Sequence, residues 1–397
     1  MIPFNWLLVL VFGTFVGTAL LARWTSLPIT ALEIVAGITL AAAFGIDLPD
    51  QAQGLLILGS LLIVFLAGLE TNFGFLRRHW RTALSIGIPG FLVPFAGLFV
   101  LFQFVLHAPL LVSIIGATAL ADTSISIVYT TLHQYELAEL PIGRMVLAAT
   151  LAVNLVEDLT ITTTTALSTP GLVFTGIVIV ALAVAALLLP RLTKALSEPQ
   201  PSFSNIGARS LLFSIAVLAA LSSLAGVPGI LFVFLLGLLF SQFAKKEFLV
   251  DVRKLSFALF VPVYFLAVGL RVDFMFVVAN LAVLGAIVAV ATVLKVGAIF
   301  PTARRYLGPA RAAPVATLMN TRLTSATVIL LLSLTLGLIT TAWYSLFISA
   351  VVVLSLGSVL VLRALPSFRS TAAARELFQG GEFAEPLPGV PRPAPDA

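Results

Sequence analysis

The sequence contains no cysteine and only three histidines among its 397 residues. Disulfides, thiolate chemistry and cysteine-ligated metal sites are therefore excluded, and a histidine-rich metal site cannot be built. Charge is scarce as well, because only 10% of the residues are charged, whereas a typical soluble domain carries about 25%. So few charges cannot cover a water-facing surface of this size, and the composition excludes a soluble globular protein.

Apolar residues are abundant: 60% of the chain is hydrophobic and the mean hydropathy is +1.14. A membrane-spanning helix needs about 20 apolar residues, and runs of this kind predict thirteen spans. They cover residues 5–22, 28–45, 53–70, 82–105, 109–132, 141–167, 171–190, 207–224, 227–244, 254–270, 275–300, 311–335 and 341–363. The chain is thus predicted to be an all-α integral membrane protein surrounded by membrane lipid. Its N-terminus lacks the pattern of a signal peptide, so we expect the first span to be retained.

The basic residues predict the orientation of these spans. With the N-terminus outside, 19 of the 22 Lys and Arg residues fall on one side of the membrane and Arg271 alone falls on the other. Basic loops mark the cytoplasmic side. We therefore expect a multi-pass protein of the cell (inner) membrane with its C-terminus in the cytoplasm. Because the basic residues follow this pattern, a nucleic acid is not expected as a partner.

Thirteen spans accommodate two six-helix halves of inverted topology around one linking helix, as in many secondary transporters. The first inverted repeat is expected at residues 1–170, and the second at residues 207–365. Residues 171–206 would form the linking helix and a cytoplasmic loop. Residues 366–397 are rich in proline and poor in apolar residues, so they are predicted to form a disordered cytoplasmic tail.

The spans at 109–132 and 311–335 occupy equivalent places in the two halves, and each carries a polar stretch near its middle. The stretches are Ala121–Ser126 and Asn320–Ser325. Matched interruptions in the two halves point to a substrate site where the repeats meet. Ordinary helix packing through Ser and Thr is the alternative, which is less favoured for a matched pair that carries charge. The sequence therefore predicts two crossed discontinuous helices.

Each predicted break carries one charged residue, Asp122 or Arg322. Asp122 could cap the facing half-helix and offset its dipole, or it could bind an ion directly. Arg322 could neutralise the unwound segment, or it could anchor helix ends through backbone carbonyls. In either case the two residues are expected to act as compensating charges on the two breaks.

Ionisable residues are rare inside the spans, where an ionised side chain costs about 2.5–3.5 kcal/mol on insertion scales. Seven occur there: Glu33, Glu70, Asp122, Glu157, Asp158, Lys295 and Arg322. Five acids against two bases leave an excess of negative charge. Each group must be paired, protonated or in contact with water, so the excess of acids implies that a cation or protons bind here.

Glu157 and Asp158 are adjacent on one span and point about 100° apart on a helix, so they can have different partners. Apolar and threonine residues on both sides place the pair inside the membrane rather than at a solvated helix end. Lys295 is expected to pair with a buried acid, and snorkelling to the cytoplasm is the alternative. Glu70 is expected to serve structure near the cytoplasmic boundary, and Glu33 is a candidate for the lining of an inner vestibule.

Six short blocks occur in order between about residues 25 and 325. They are Leu27-Pro28 with Leu32-Glu33 and Ala36-Gly37, Val64–Glu70, Gly116–Ser124, Glu157-Asp158, Pro262–Asp273 and Lys295–Gly297. Together they resemble the monovalent cation:proton antiporters, particularly the bacterial and archaeal sodium/proton exchangers and their potassium-efflux relatives. The resemblance implies a sodium/proton antiporter-like fold with inverted repeats, in which a six-helix core moves against a scaffold that forms a homodimer.

The resemblance also implies roles for individual residues. The second acid of the pair binds the ion in that family, so Asp158 would carry either Na⁺ or H⁺. An acid in the first position with a lysine on a later helix is similar to electrogenic exchangers, and Glu157 with Lys295 fits that pattern. Thr123, Ser124 and carbonyls of the broken helix would supply the neutral oxygen ligands that suit a hard cation.

Three positions depart from the family's usual residues. Glu157 stands where Asp or, in potassium-efflux members, Gln is usual, which leaves ion choice and stoichiometry open. Ala121 replaces a hydroxyl residue, and Leu323-Thr324 follows Arg322 where many members have Gly-Glu. The tail shows no nucleotide-binding domain of the kind that many potassium-efflux relatives carry, so gating by such a domain is not expected.

The sequence thus predicts a secondary active antiporter without a cofactor that exchanges Na⁺, or else Li⁺ or K⁺, for H⁺, and that is electrogenic. A K⁺/H⁺ antiporter is the alternative, and a sodium-coupled carrier of organic solutes on a related fold is a weaker one. An intramembrane enzyme is disfavoured, because two adjacent acids on one helix cannot face each other as an aspartyl dyad does.

Overall fold

The computed structural model describes residues 4–46, 53–69, 73–167 and 256–379, with six isolated residues between 217 and 254. All regular secondary structure in those ranges is helical, which confirms the predicted all-α class. Ten of the thirteen predicted spans lie there, and each coincides with one helix or with two helices in series. The predicted spans at 171–190, 207–224 and 227–244 lie outside the described ranges.

The first part of the chain forms α1 to α7. Their bounds are α1 Phe4–Thr25, α2 Ile29–Phe44, α3 Gln53–Leu69, α4 Phe73–Val100, α5 Leu110–Ala121, α6 Ile125–Gln134 and α7 Pro141–Leu167. A π-helical segment, Leu101–Val105, extends α4.

The second part begins with a π-helical segment, Ser256–Phe260, which leads directly into α8. The bounds are α8 Val261–Leu270, α9 Phe274–Ala279, α10 Leu281–Leu307, α11 Pro309–Leu318, α12 Thr324–Thr335, α13 Thr341–Ala364 and α14 Thr371–Gln379. A 3₁₀ turn, Pro366–Phe368, precedes α14.

The distribution of polar and apolar side chains is that of a protein dissolved in lipid. Lys295 and Arg322 are fully buried, whereas Val293 is 69% exposed and Phe104 is 64% exposed. In water this arrangement would be unstable, since charged groups stay on the surface of soluble proteins. Four helical stretches in the described ranges are long and apolar enough to cross a membrane: Trp80–Val105, Leu110–Gln134, Leu281–Leu307 and Thr341–Ala364. These features indicate a multi-pass membrane protein.

Helix α5 lies at the centre of the bundle and packs against α4, α7, α12 and α13. Most of its side chains are buried. Helix α10 packs against α4, α11 and α13. This packing brings the acid pair on α7, the lysine on α10 and the ends of α5 and α12 into one region.

Helices α2 and α8 touch through their backbones. A Cβ atom at Gly37 would overlap the carbonyl oxygen of Leu266, and one at Gly269 would overlap the carbonyl oxygen of Ile34. Such close approach is possible only because both positions are glycine. The contact fixes the position of α2, and therefore of Glu33, against α8.

The C-terminal segment corrects one prediction. Residues 366–397 were predicted to be disordered, but Pro366–Phe368 and Thr371–Gln379 are helical. Phe368 and Phe378 are buried, because apolar residues at helical spacing give α14 one face that can pack. The proline-rich composition of residues 380–397 obscured that signal, and those residues lie outside the described ranges.

Polar contacts hold the same segment in place. The Tyr135 hydroxyl, just after α6, donates to the carbonyl of Phe368 at 3.0 Å. Arg311, in the first turn of α11, donates from Nε to the carbonyl of Leu377 at 2.6 Å. The segment is therefore attached to the end of α6 and to the beginning of α11.

Candidate ion-binding site

Two helix breaks cross in the middle of the bundle. Residues 122–124 separate α5 from α6, and residues 319–323 separate α11 from α12. The amide of Ser124 donates to the carbonyl of Thr321 at 2.9 Å, and the Thr123 hydroxyl donates to the carbonyl of Met319 at 3.0 Å. The predicted pair of crossed discontinuous helices is confirmed.

Hydroxyl groups connect the two breaks on one side of the crossing. The hydroxyl oxygens of Ser124 and Thr324 are 3.0 Å apart, and those of Ser126 and Thr324 are 2.9 Å apart. Backbone groups released by a break inside a bilayer must find partners within the protein. Here each break supplies them to the other, so the crossing can persist without unwinding further.

Lys295 stabilises the end of α5. Its ammonium group donates to the carbonyls of Ala121 at 2.5 Å and of Asp122 at 3.0 Å. The C-terminal end of a helix carries partial negative charge, which a cation offsets. Lys295 is fully buried, so it does not snorkel to the surface.

Arg322 anchors the other break through backbone carbonyls, which is one of the two roles predicted for it. Its guanidinium donates to the carbonyl of Asn320 at 3.2 Å and to that of Ala291 in α10 at 3.0 Å. The Ser355 side chain in α13 exchanges hydrogen bonds with the backbone of Arg322. The cation thus lies at the negative end of α11.

Asp122 faces the positive end of α12. Its Oδ2 accepts from the amide of Ala326 at 3.4 Å, in the first turn of that helix, where negative charge is favoured. This contact fits the capping role. No donor group among the residues that the structure describes reaches its Oδ1, so this oxygen can accept an ion or a proton.

The acid pair on α7 lies beside these helix ends. Glu157 is fully buried, and no donor group within the described ranges reaches its carboxylate oxygens, but its side chain lies within hydrogen-bond reach of the Asp122 carboxyl group. Its electrostatic neighbours are Asp122, Asp158 and Lys295. Asp158 is 3% exposed and interacts with Asp122. Both acids are therefore buried beside Asp122.

The charged groups at the crossing do not balance. Three acids, Asp122, Glu157 and Asp158, lie in one electrostatic network. Two bases, Lys295 and Arg322, complete it. If all five were ionised, the cluster would carry one negative charge in a buried site, which is unfavourable without a counter-ion. One monovalent cation or one proton would neutralise it.

The contacts of Lys295 differ from the ion pair with Glu157 that the sequence suggested. Among the described residues, the salt bridges are Arg144–Glu139 and Arg375–Glu136, both on the surface. Lys295 bonds to carbonyl oxygens instead, because the end of α5 presents oxygens that no helical amide can reach. Glu157 remains an electrostatic neighbour of Lys295.

Asn154 is a site residue to which the sequence gave no role. With its amide nitrogen turned toward the break, it donates to the carbonyls of Thr123 at 2.9 Å and of Thr150 at 3.1 Å. It lies three and four residues before the acid pair, so it shares a face of α7 with both acids. That spacing was the signal available in the sequence.

Thr123 and Ser124 keep oxygen lone pairs for a ligand. The Thr123 hydroxyl donates its hydrogen to the carbonyl of Met319, and a hydroxyl that donates can still accept a hydrogen bond or ligate a cation. Hydroxyl and carboxylate oxygens together are the donor set that a hard cation such as Na⁺ prefers. The crossing therefore contains the types of oxygen donor that suit such a cation.

A cavity reaches the crossing from the side of α2, α3 and α8. Its polar lining consists of Thr30, Ser126 and Thr324. The last two belong to the hydroxyl cluster of the crossing. The cavity therefore connects the crossing with the neighbourhood of α2.

A family model described as "Sodium/hydrogen exchanger, transmembrane" matches residues 9–365 of the chain. Among curated proteins, the chain is 25% identical over 270 residues to a probable Na⁺/H⁺ antiporter 3 of Methanocaldococcus jannaschii, covering 65% of the chain and 69% of that protein. It is 28% identical over 236 residues to a Na⁺/H⁺ antiporter of Enterococcus hirae, covering 55% of the chain and 59% of that relative.

Among solved structures, the chain is similar to the sodium proton antiporter MjNhaP1 from Methanocaldococcus jannaschii at pH 8, with a TM-score of 0.69. The match covers 94% of this chain and 98% of the other, at 14% sequence identity. At that identity the likeness shows the shared fold.

Proposed function

Because the chain belongs to the sodium/hydrogen exchanger family, we propose that this multi-pass membrane transporter is a secondary active antiporter that exchanges Na⁺ for H⁺. The curated relatives named above are sodium/hydrogen antiporters, which favours Na⁺ over the K⁺ alternative. The single observation that carries the proposal is the charge balance at the crossing, where three acids face two bases. Such a cluster is suited to bind a monovalent cation or protons.

Asp158 is the proposed carrier of both ions. It is the second acid of the pair, which is the ion-binding position in the family that the sequence resembles, and it lies beside Asp122 at the crossing. A carboxylate that has bound a proton cannot ligate a cation, and a bound cation repels a proton. This competition at one group couples the two fluxes in opposite directions. Thr123, Ser124 and nearby carbonyls would complete the coordination of Na⁺.

Glu157 and Lys295 are proposed to set the charge that moves in each cycle. Each is an electrostatic neighbour of the other, although Lys295 bonds to carbonyls here. In another state of the cycle Lys295 would turn to Glu157 and form the ion pair. A second proton exchanged at that pair would make the transport electrogenic.

The larger organisation follows the same proposal. Residues 1–170 and 207–365 would be the inverted repeats, and residues 171–206 would link them. The breaks at 122–124 and 319–323 occupy equivalent places in that scheme, which supports it. A homodimer in the cell membrane, with the N-terminus outside and the C-terminus in the cytoplasm, completes the proposal.

The test uses the purified protein in liposomes that hold a proton gradient. Na⁺, Li⁺ and K⁺ are added in turn while a dye reports the internal pH. We expect Na⁺ to drive proton movement that is lost in Asp158→Asn and kept in Glu139→Gln, whose side chain is 87% exposed. A membrane voltage set by a K⁺ gradient and valinomycin should change the rate of Na⁺-driven proton movement, because electrogenic exchange moves net charge across the membrane. Folded protein without ion-driven proton movement would overturn the proposal.

A further inference from the structure

Glu33 on α2 is a buried acid that the proposed exchange site does not use. It is 1% exposed, and its Oε2 has no hydrogen-bond partner among the described residues. No salt bridge within those ranges includes it. An isolated carboxylate away from water is costly unless it is neutralised, and a charged side chain inside a membrane bundle typically marks an ion pathway.

The cavity described above begins beside the first turn of α2. Thr30 lines it and lies three residues before Glu33, so the two residues share one side of the helix. Side chains on a helix lean toward its N-terminal end, which directs Glu33 toward Thr30. The glycine contact between Gly37 and α8 holds this part of α2 in place.

The far end of the cavity meets the exchange site. Ser126 and Thr324 line it, and their hydroxyl oxygens are 2.9 Å apart at the crossing. The remaining lining is apolar: Ile63, Leu66, Phe257, Val261 and Phe265. A cation in the cavity would therefore find oxygen ligands near α2 and at the crossing, separated by apolar walls.

We propose that Glu33 and Thr30 form an access site that binds the transported monovalent cation before it reaches Asp158. The inference rests on the proposed antiport and adds a second cation position to it. The Glu33 carboxylate supplies the charge, and the Thr30 hydroxyl supplies a neutral oxygen, which suits a partly hydrated Na⁺. Occupation of this site raises the local concentration of Na⁺ at the crossing, so its loss lowers apparent affinity rather than turnover.

The experiment measures initial rates of Na⁺-driven proton movement against Na⁺ concentration in proteoliposomes. Glu33→Gln should raise the KM for Na⁺ by about tenfold, the loss of one charged contact, while the maximal rate stays within about twofold. Glu33→Asp should fall between wild type and Glu33→Gln. The matched control Glu139→Gln, on an exposed surface, should leave both parameters unchanged.

Thr30→Val tests the same site without changing its charge. It should also raise the KM for Na⁺, but by less than Glu33→Gln does. It also decides the question if Glu33→Gln does not fold, as judged by size-exclusion chromatography. Unchanged KM in the folded variants overturns the access site, as does a lower maximal rate with unchanged KM. Absence of exchange in the wild type overturns the proposed function together with this inference, so the two failures are distinguishable.

Discussion

Replacing Lys295 with Met should destabilise the protein strongly, whereas replacing Glu157 with Gln should not. Lys295 makes two hydrogen bonds to carbonyls at the end of α5. A hydrogen bond to a charged group contributes about 1.5–3 kcal/mol, so the loss of both should lower the free energy of unfolding by about 3–6 kcal/mol. Glu157 lies within hydrogen-bond reach of Asp122, and the amide of a glutamine can donate there, so Glu157→Gln keeps a partner and should change the free energy of unfolding by less than about 1 kcal/mol.

Thermal unfolding in detergent, followed by tryptophan fluorescence, measures these effects. Wild type, Lys295→Met, Glu157→Gln and the double variant form a complete cycle. The structure has no Lys295–Glu157 salt bridge to lose, and Glu157→Gln removes one acid from a cluster with an excess of acids, so the double variant should melt no lower than Lys295→Met. Breaking a buried ion pair costs about 3–5 kcal/mol whichever partner is removed. A Glu157→Gln variant as unstable as Lys295→Met, with no further loss in the double variant, would therefore refute the carbonyl arrangement.

Two further contrasts test the packing. Gly37→Ala should lower the free energy of unfolding by about 1–3 kcal/mol by overpacking, because its Cβ would overlap a backbone oxygen. Gly285→Ala should be neutral or stabilising, since no atom lies within 4 Å of the added Cβ. Equal melting curves for the two variants would contradict the contact between α2 and α8. Phe378→Ala should release α14, at a cost of about 3–5 kcal/mol, and speed tryptic cleavage at Arg369. Arg375→Ala removes a half-exposed salt bridge that contributes about 0–1 kcal/mol, so it should leave cleavage at Arg369 unchanged. Equal cleavage in the two variants would mean that Phe378 does not hold the segment.

The helices and the two breaks could be predicted because both leave a clear pattern along the sequence itself. Apolar runs of membrane length defined the ten spans in the described ranges. The matched polar stretches around Asp122 and Arg322 located the breaks within a few residues. A bilayer permits few backbone conformations, so composition and length constrain the fold unusually well.

The partners of the charged groups could not be predicted in the same way. Lys295 binds the carbonyls of Ala121 and Asp122, and every residue has a carbonyl, so nothing in the sequence identifies those two. The role of Asn154 depends on the rotation of α7 against α5, which a single sequence does not specify. Residue type indicated which groups belong to the site, whereas the bonds between them depend on helix packing.

The segment at 366–379 connects parts of the molecule that are distant in the sequence. Its contacts with Tyr135 and Arg311 attach it to the end of α6 and to the beginning of α11, which are halves of the two broken helices. A displacement of the broken helices relative to α2 must therefore carry α14 along. A fluorophore on the exposed side of α14, paired with one on α2, would report conformational changes of the ion-binding region without any label inside it.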